Sequence, residues 1–127
     1  MDASPPLDSE RLRKAAAAVL VGNHAGGWTR PSPRQYPHEW NWDTAFVSLG
    51  WSHIDWTRAT REVESLLEGQ WQDGMVPHVR YDPARLEGYF PGPERWPRAA
   101  TRCLRPGVRT SGISNPPVVV SAALELG

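Results

Sequence analysis

Cysteine and lysine are almost absent: Cys103 and Lys14 are the only ones in 127 residues. A single thiol can form neither an intrachain disulfide nor a thiolate cluster nor a redox pair, so a reducing, cytoplasmic setting is the expectation. Charge of one sign is also missing. Fourteen basic residues face fourteen acidic ones, leaving no net field to draw the chain onto nucleic acid or an anionic membrane. No apolar run reaches the ~18 residues that a membrane helix needs. The opening MDASPPLDSERLRK places acids ahead of its basic residues, and the apolar stretch from Ala15 to Val21 is short, so no secretory signal is expected. The four histidines form no HExxH and no pair at helical spacing, so neither a metal nor another cofactor is expected. Ser111 lies in TSGIS, which is not the GxSxG nucleophile elbow.

Seven tryptophans and thirteen prolines are the unusual abundances. Indoles bring large flat surfaces, and proline interrupts regular hydrogen bonding, so an aromatic, loop-rich molecule is indicated. Residues 1–8 are expected to be a disordered lead. Asp8 or Ser9 can cap a first helix whose apolar residues Leu12, Ala15, Ala16, Val19 and Leu20 recur three and four apart, ending near Gly22 and Asn23. Residues 24–41 carry prolines and glycines without a period and read as a long loop. A second helix runs from Asp43 to about His53. Asp55 caps a third, with Ala59, Val63, Leu66 and Leu67 on one face and Glu62 among the charged residues on the others. Residues 70–114 read as another long loop. Ser114 or Asn115 can cap a fourth helix, with Pro116 and Pro117 in its first turn. The predicted class is all-α: about four helices joined by long loops. The last helix carries Val118, Val119, Val120, Ala122, Ala123 and Leu124 with nothing after it to cover them, which suggests truncation.

The densest chemistry is YPHEWNWDT, residues 36–44. Sugars present apolar C–H faces ringed by hydroxyls, so a site that holds them needs flat aromatic surfaces and carboxylates or amides at the rim. Trp40, Trp42 and Asp43 supply that combination. The alternative is that both indoles fill a core and Asp43 only caps a helix. Two indoles two residues apart share a face on an extended backbone and splay on a helix. Glycosidic hydrolysis needs two carboxyl groups on opposite sides of a bound sugar, and Glu39 and Asp43 stand too close in sequence to serve as that pair.

The strings YPHEWNWDTAFVSLGWSHID, LLEGQWQDGMVPHV, YFPGPERW and TSGISNPPVV resemble, in this order, the N-terminal part of the mannosylglycerate and glucosylglycerate hydrolases, relatives of glycoside hydrolase family 63. The resemblance spans residues 36–122. It implies a partial (α/α)6 toroid, residues 1–127 forming the N-terminal fragment of a domain that cleaves an α-glycosidic bond with inversion. It also implies that the Asp acid and Glu base lie on later hairpins, so no residue here is catalytic and the chain alone is inactive. The implied substrate-binding positions are Tyr36, Trp40, Trp42, Asp43, Tyr89 and Asn115, and the implied partner is a small glycoside. Gln70, Trp71 and His78 are second choices, supporting the loops. The family usually has Gln at the positions of Glu39 and Asn115, so a charge beside the pocket and a shorter reach are expected here. The stretch 97–109 matches nothing in that pattern. The rival reading is a stand-alone Trp-rich carbohydrate-binding module.

Overall fold

The computed structural model describes residues 8–127; the expected disorder of residues 1–7 lies outside them. Asp8 does not belong to a disordered lead. Its carboxylate accepts the Arg11 amide at 3.0 Å and caps helix α1, Ser9–Asn23, satisfying one of the free donors at the helix start. Helix α3, Trp56–Leu67, begins in the same way, with Asp55 accepting from the Arg58 amide. Between them lies α2, Asn41–Ser52, which starts two residues earlier than the sequence pattern suggests and so takes Trp42 and Asp43 into its first turn. Helix α4 spans Val118–Leu126. Its N-cap is Pro117, which makes no side-chain capping bond, so Ser114 and Asn115 do not have the expected capping role. Ser114 instead turns its hydroxyl to the Val76 carbonyl.

Helix α2 is the hub, packed on α3 and α4 and more lightly on α1. The core between these helices is Ala45, Leu66, Val119 and Ala122, with Leu49, Val63, Val76 and Val118 against it. Small residues at Ala45 and Ala122 let the helix backbones approach, and burial of each larger side chain contributes about 1.5–3 kcal/mol. The expected apolar face of α1 is not buried: Leu12 and Val19 are each more than half exposed. Its firm contact is Leu20 against Gly50, where an added Cβ would come within 3.2 Å of the Leu20 methyl.

The molecule is mostly helical, with the four expected helices, and adds one small sheet. Strands β1, Glu39–Trp40, and β2, Val79–Arg80, pair antiparallel, with Glu39 opposite Arg80 and Trp40 opposite Val79. This ladder joins the two long loops, and Thr110 extends it through a bridge to Arg80. Three 3-10 turns, Pro83–Arg85, Pro93–Arg95 and Ala99–Thr101, shape the second loop. A second, smaller core of Trp71, Ala99 and Cys103, with Met75 and Trp96, lies within it.

Polar groups tie the loops to the helices. Glu62 is buried rather than turned to solvent, and it accepts from both the amide and the hydroxyl of Thr29. The Trp51 indole N–H donates to the same hydroxyl at 2.9 Å. Glu39 is also wholly buried, bonded to Arg80 Nε at 2.5 Å and to the Ser65 hydroxyl at 3.2 Å. Burial pushes both carboxyls up to about 7, against the opposing pull of Arg80 on Glu39 and of Thr29 on Glu62.

Candidate functional site

The junction of β1 and α2 sets the site. Strand β1, Glu39–Trp40, puts its two side chains on opposite faces. Glu39 turns back to Ser65 and Arg80, while His38 and Trp40 turn to the opposite face and meet Tyr81 and Tyr89. The expected charge beside the pocket therefore lies behind the strand, neutralised by Arg80.

On the front face the aromatic rings form one cluster. Tyr36 stands edge-on to Trp40, ring centroids 5.3 Å apart. Tyr89 packs on Trp40 at 6.2 Å and on His38 at 4.3 Å, and Tyr81 closes the back, its hydroxyl donating to the Pro91 carbonyl at 2.8 Å. Edge-to-face geometry of this kind stabilises aromatic groups beyond simple burial. Three of the predicted positions, Tyr36, Trp40 and Tyr89, are thus brought together. Tyr36 is half exposed and Trp40 and Tyr89 are partly so. A depression of about 410 Å³ opens beside Tyr89, lined also by Pro33, Arg34, Pro37 and Arg85.

His38 is the centre of this cluster, and its Nδ1 accepts the Asp82 amide at 3.1 Å. The acceptor role fixes the neutral tautomer with its proton on Nε2, and that buried atom has no hydrogen-bond partner. Burial pushes the imidazole down to about 4, with Arg30 adding to the effect and Asp82 opposing it. No signal in the sequence distinguishes His38 from an ordinary loop histidine.

Trp42 and Asp43 form a second group. Because the helix starts at Asn41, the two indoles splay: Trp42 packs against Phe46 one turn on, at 5.6 Å, and not on Trp40. Trp42 and Phe46 are each about half exposed, at 43% and 52%. Asp43, in the first turn where a carboxylate complements the helix dipole, is only partly exposed. Burial raises its affinity for a proton, while its own amide and nearby His78 oppose that rise. Burial likewise lowers His78, against the pull of Asp43. His78 is placed by backbone bonds on both sides: its carbonyl accepts the Asn41 amide at 3.0 Å, and its amide donates to the Ile113 carbonyl at 2.7 Å. Asn41 reinforces the joint through a side-chain bond to the Pro77 carbonyl. Two residues beyond Ile113 is Asn115, whose buried Oδ1 is without a partner.

The second-choice residues behave as supports. Gln70 donates to the Gly74 carbonyl, and the buried Trp71 donates to the Thr110 hydroxyl.

The profile of the mannosylglycerate hydrolase MGH1-like glycoside hydrolase domain matches residues 36–126. A glucosylglycerate hydrolase of Mycolicibacterium hassiacum is 42% identical over 119 residues, which is 93% of this chain and 26% of that protein. A mannosylglycerate hydrolase of Thermus thermophilus is 44% identical over 107 residues, covering 84% of this chain and 25% of the relative. The crystal structure of a Thermus thermophilus GH63 mannosylglycerate hydrolase with Tris and D-glycerate superposes with a TM-score of 0.78 at 41% identity, over 91% of this chain and 26% of that one. The same enzyme with glucose gives 0.70 at 42% identity, with the same coverage. The chain spans about a quarter of the length of the relatives it matches.

Proposed function

Because the chain belongs to the mannosylglycerate hydrolase MGH1-like glycoside hydrolase domain family, we propose that it forms the opening hairpins of an (α/α)6 barrel and one wall of its sugar pocket. The activity we propose for the whole domain is hydrolysis, with inversion, of an α-linked glucosyl or mannosyl group on glycerate or a similar small acceptor. The share of this chain is binding. The inverting reaction needs an acid and a base on opposite sides of the sugar, and the two fully buried carboxyls here, Glu39 and Glu62, are engaged with Arg80 and Thr29 inside the fold.

The observation that carries this reading is the placing of Trp42 and Asp43 at consecutive positions in the first turn of α2: an exposed indole and a partly buried carboxylate at one helix start. Asp43 accepts sugar hydroxyls, and the Trp42 face stacks on the pyranose C–H surface. Tyr36, Trp40 and Tyr89 wall the subsite, and the unpartnered Asn115 Oδ1 supplies an acceptor at its rim.

Calorimetric titration of the chain with mannosylglycerate, glucosylglycerate and glucose tests this. Asp43→Asn removes a charge-assisted bond of about 1.5–3 kcal/mol, so affinity falls on the order of 10- to 100-fold. Trp42→Ala weakens binding similarly, and no free sugar appears during incubation. Unchanged affinity in both variants would sink the assignment. The family match over residues 36–126 favours the hydrolase reading over a stand-alone binding module.

A further inference from the structure

The segment with no counterpart in the sequence motifs, residues 97–109, belongs to a basic surface assembled on the smaller core. From Arg95 to Arg109 there are five arginines and no acid. Arg105 pairs with Glu68 at 2.8 Å, whereas Arg95, Arg98, Arg102 and Arg109 make no ion pair among the described residues. Elsewhere in the described residues four of the eight arginines are paired: Arg30 with Asp82, Arg58 with Asp55, and Arg61 and Arg80 with glutamates.

Three of these unpaired arginines line a single groove. Its volume is about 330 Å³, and its walls are Arg95, Arg98 and Arg102 with Trp71, Trp96 and Gly112. No carboxylate lines it, and the nearby Glu94 turns its oxygen to the Gly92 amide.

The groove has a fixed floor. Trp71 is buried, its indole N–H bonded to Thr110 at 3.0 Å and its backbone bridged to Cys103. The Gln72 amide donates to the Arg102 carbonyl and the Leu104 amide to the Gln70 carbonyl, each at 2.8 Å, which fixes the backbone that carries Arg102. The Arg102 guanidinium lies over the Trp71 ring, 5.7 Å from its centroid, a stacking that holds the cation without neutralising it. Trp96 is seated flush on the chain: a Cβ at Gly112 would meet its ring at 2.5 Å.

We propose that this groove is a binding site for a small organic anion, a phosphorylated or carboxylated polyol, separate from the sugar site at Asp43. Guanidinium forks bind phosphate and carboxylate oxygens in bidentate geometry. The part-exposed Trp96 ring accepts the C–H surface of a short polyol body, and the volume lies at the small end of ligand pockets, about 300–1,000 Å³. A long polyanion does not suit it, because the basic charge is confined to one segment of a chain with no net charge.

The test titrates the chain with 3-phosphoglycerate, D-glycerate, inorganic phosphate and neutral glycerol, by calorimetry and by the indole N–H resonances of Trp71 and Trp96. Saturable binding of the anions, with shifts at those two indoles and none with glycerol, is expected. Arg98→Glu with Arg102→Glu weakens it at least about tenfold, the size of a lost charged bond, while far-UV circular dichroism stays unchanged. Inorganic phosphate binding as tightly as 3-phosphoglycerate identifies the phosphoryl group as the determinant; tighter 3-phosphoglycerate binding assigns a role to the polyol body. Binding that survives the double reversal, that is displaced by glucose, or that glycerol matches overturns the proposal, as does the absence of saturable binding by any anion.

Discussion

The helical half and the loop half of this molecule are held together by different forces. Between α2, α3 and α4 the contacts are methyl groups, with Ala45 and Leu66 fully buried. The loops have a small apolar core around Trp71, Ala99 and Cys103, but most of their ties, to one another and to the helices, are buried polar bonds: Glu62 on Thr29, Thr29 on Trp51, Glu39 on Arg80, and Trp71 on Thr110. Apolar packing is non-directional and tolerates adjustment. Buried polar bonds are directional, and a group left unpartnered costs its full desolvation. The loops hold most of the candidate site, so its geometry is set by the less forgiving kind of contact.

The largest effect expected is on the apolar side. Leu66→Ala deletes the largest fully buried aliphatic side chain of the helical core and lowers stability by about 3–4 kcal/mol, measured by urea unfolding. If tryptophan fluorescence from the loops and circular dichroism from the helices then report separate transitions, the two halves are separate cooperative units.

On the polar side the pH dependence is diagnostic. Folding raises Glu62 from 4.5 to about 7, so the native state binds its proton more tightly than the unfolded chain. Its contribution to stability is fully present below pH 4.5 and is lost as the pH rises through about 7. Glu62→Gln removes that loss, about 3–4 kcal/mol at roughly 1.4 per unit, flattening the fall between pH 5 and 8. His38 has the opposite sign: its imidazole is held at about 4, so its contribution is present above 6.5 and disappears as the pH falls through about 4. A stability profile that Glu62→Gln leaves unchanged would remove the buried carboxyl from this account.

Thr29→Val is expected to cost about 2 kcal/mol, because it leaves the Trp51 indole N–H and one oxygen of Glu62 without partners. The smallest effect belongs to the least buried element. Asp8→Ala removes the cap of α1 and costs about 1 kcal/mol. Since α1 has no buried residue, the loss is local fraying, read by amide exchange in the first turn, with the remainder of the chain unaffected.

The legible parts of the fold were those fixed by near neighbours in sequence. Asp8 and Asp55 cap their helices because the bond is to an amide three residues on, and the α3 face follows from a period that any reader can count. The ladder of Glu39–Trp40 with Val79–Arg80 was hidden, since two-residue strands have no alternation and their partners lie about forty positions apart in the chain. Glu62 was misplaced because a charged residue on an amphipathic helix reads as solvent-facing; its partner Thr29 comes from a loop with no pattern. The start of α4 was misjudged because Ser114 has a tertiary acceptor, Val76, that outweighs a local capping role.

For the candidate site, the sequence supplied the residue types but not their grouping. Tyr36, Trp40 and Tyr89 do gather, whereas Trp42 parts from Trp40 at the helix start. The central role of His38 and Tyr81 arises from long-range packing that no local motif encodes.

The joint at Asn41 has a consequence for how this region can change. It is where extended backbone becomes helix, so deleting or adding one residue there turns everything that follows by about 100°. A deletion would carry Phe46 into the buried position of Ala45, and an insertion would carry Ala45 out to the exposed position of Phe46. Side chains around the joint can be exchanged one at a time, but its length cannot vary: viable variants should differ here by substitution and never by insertion or deletion.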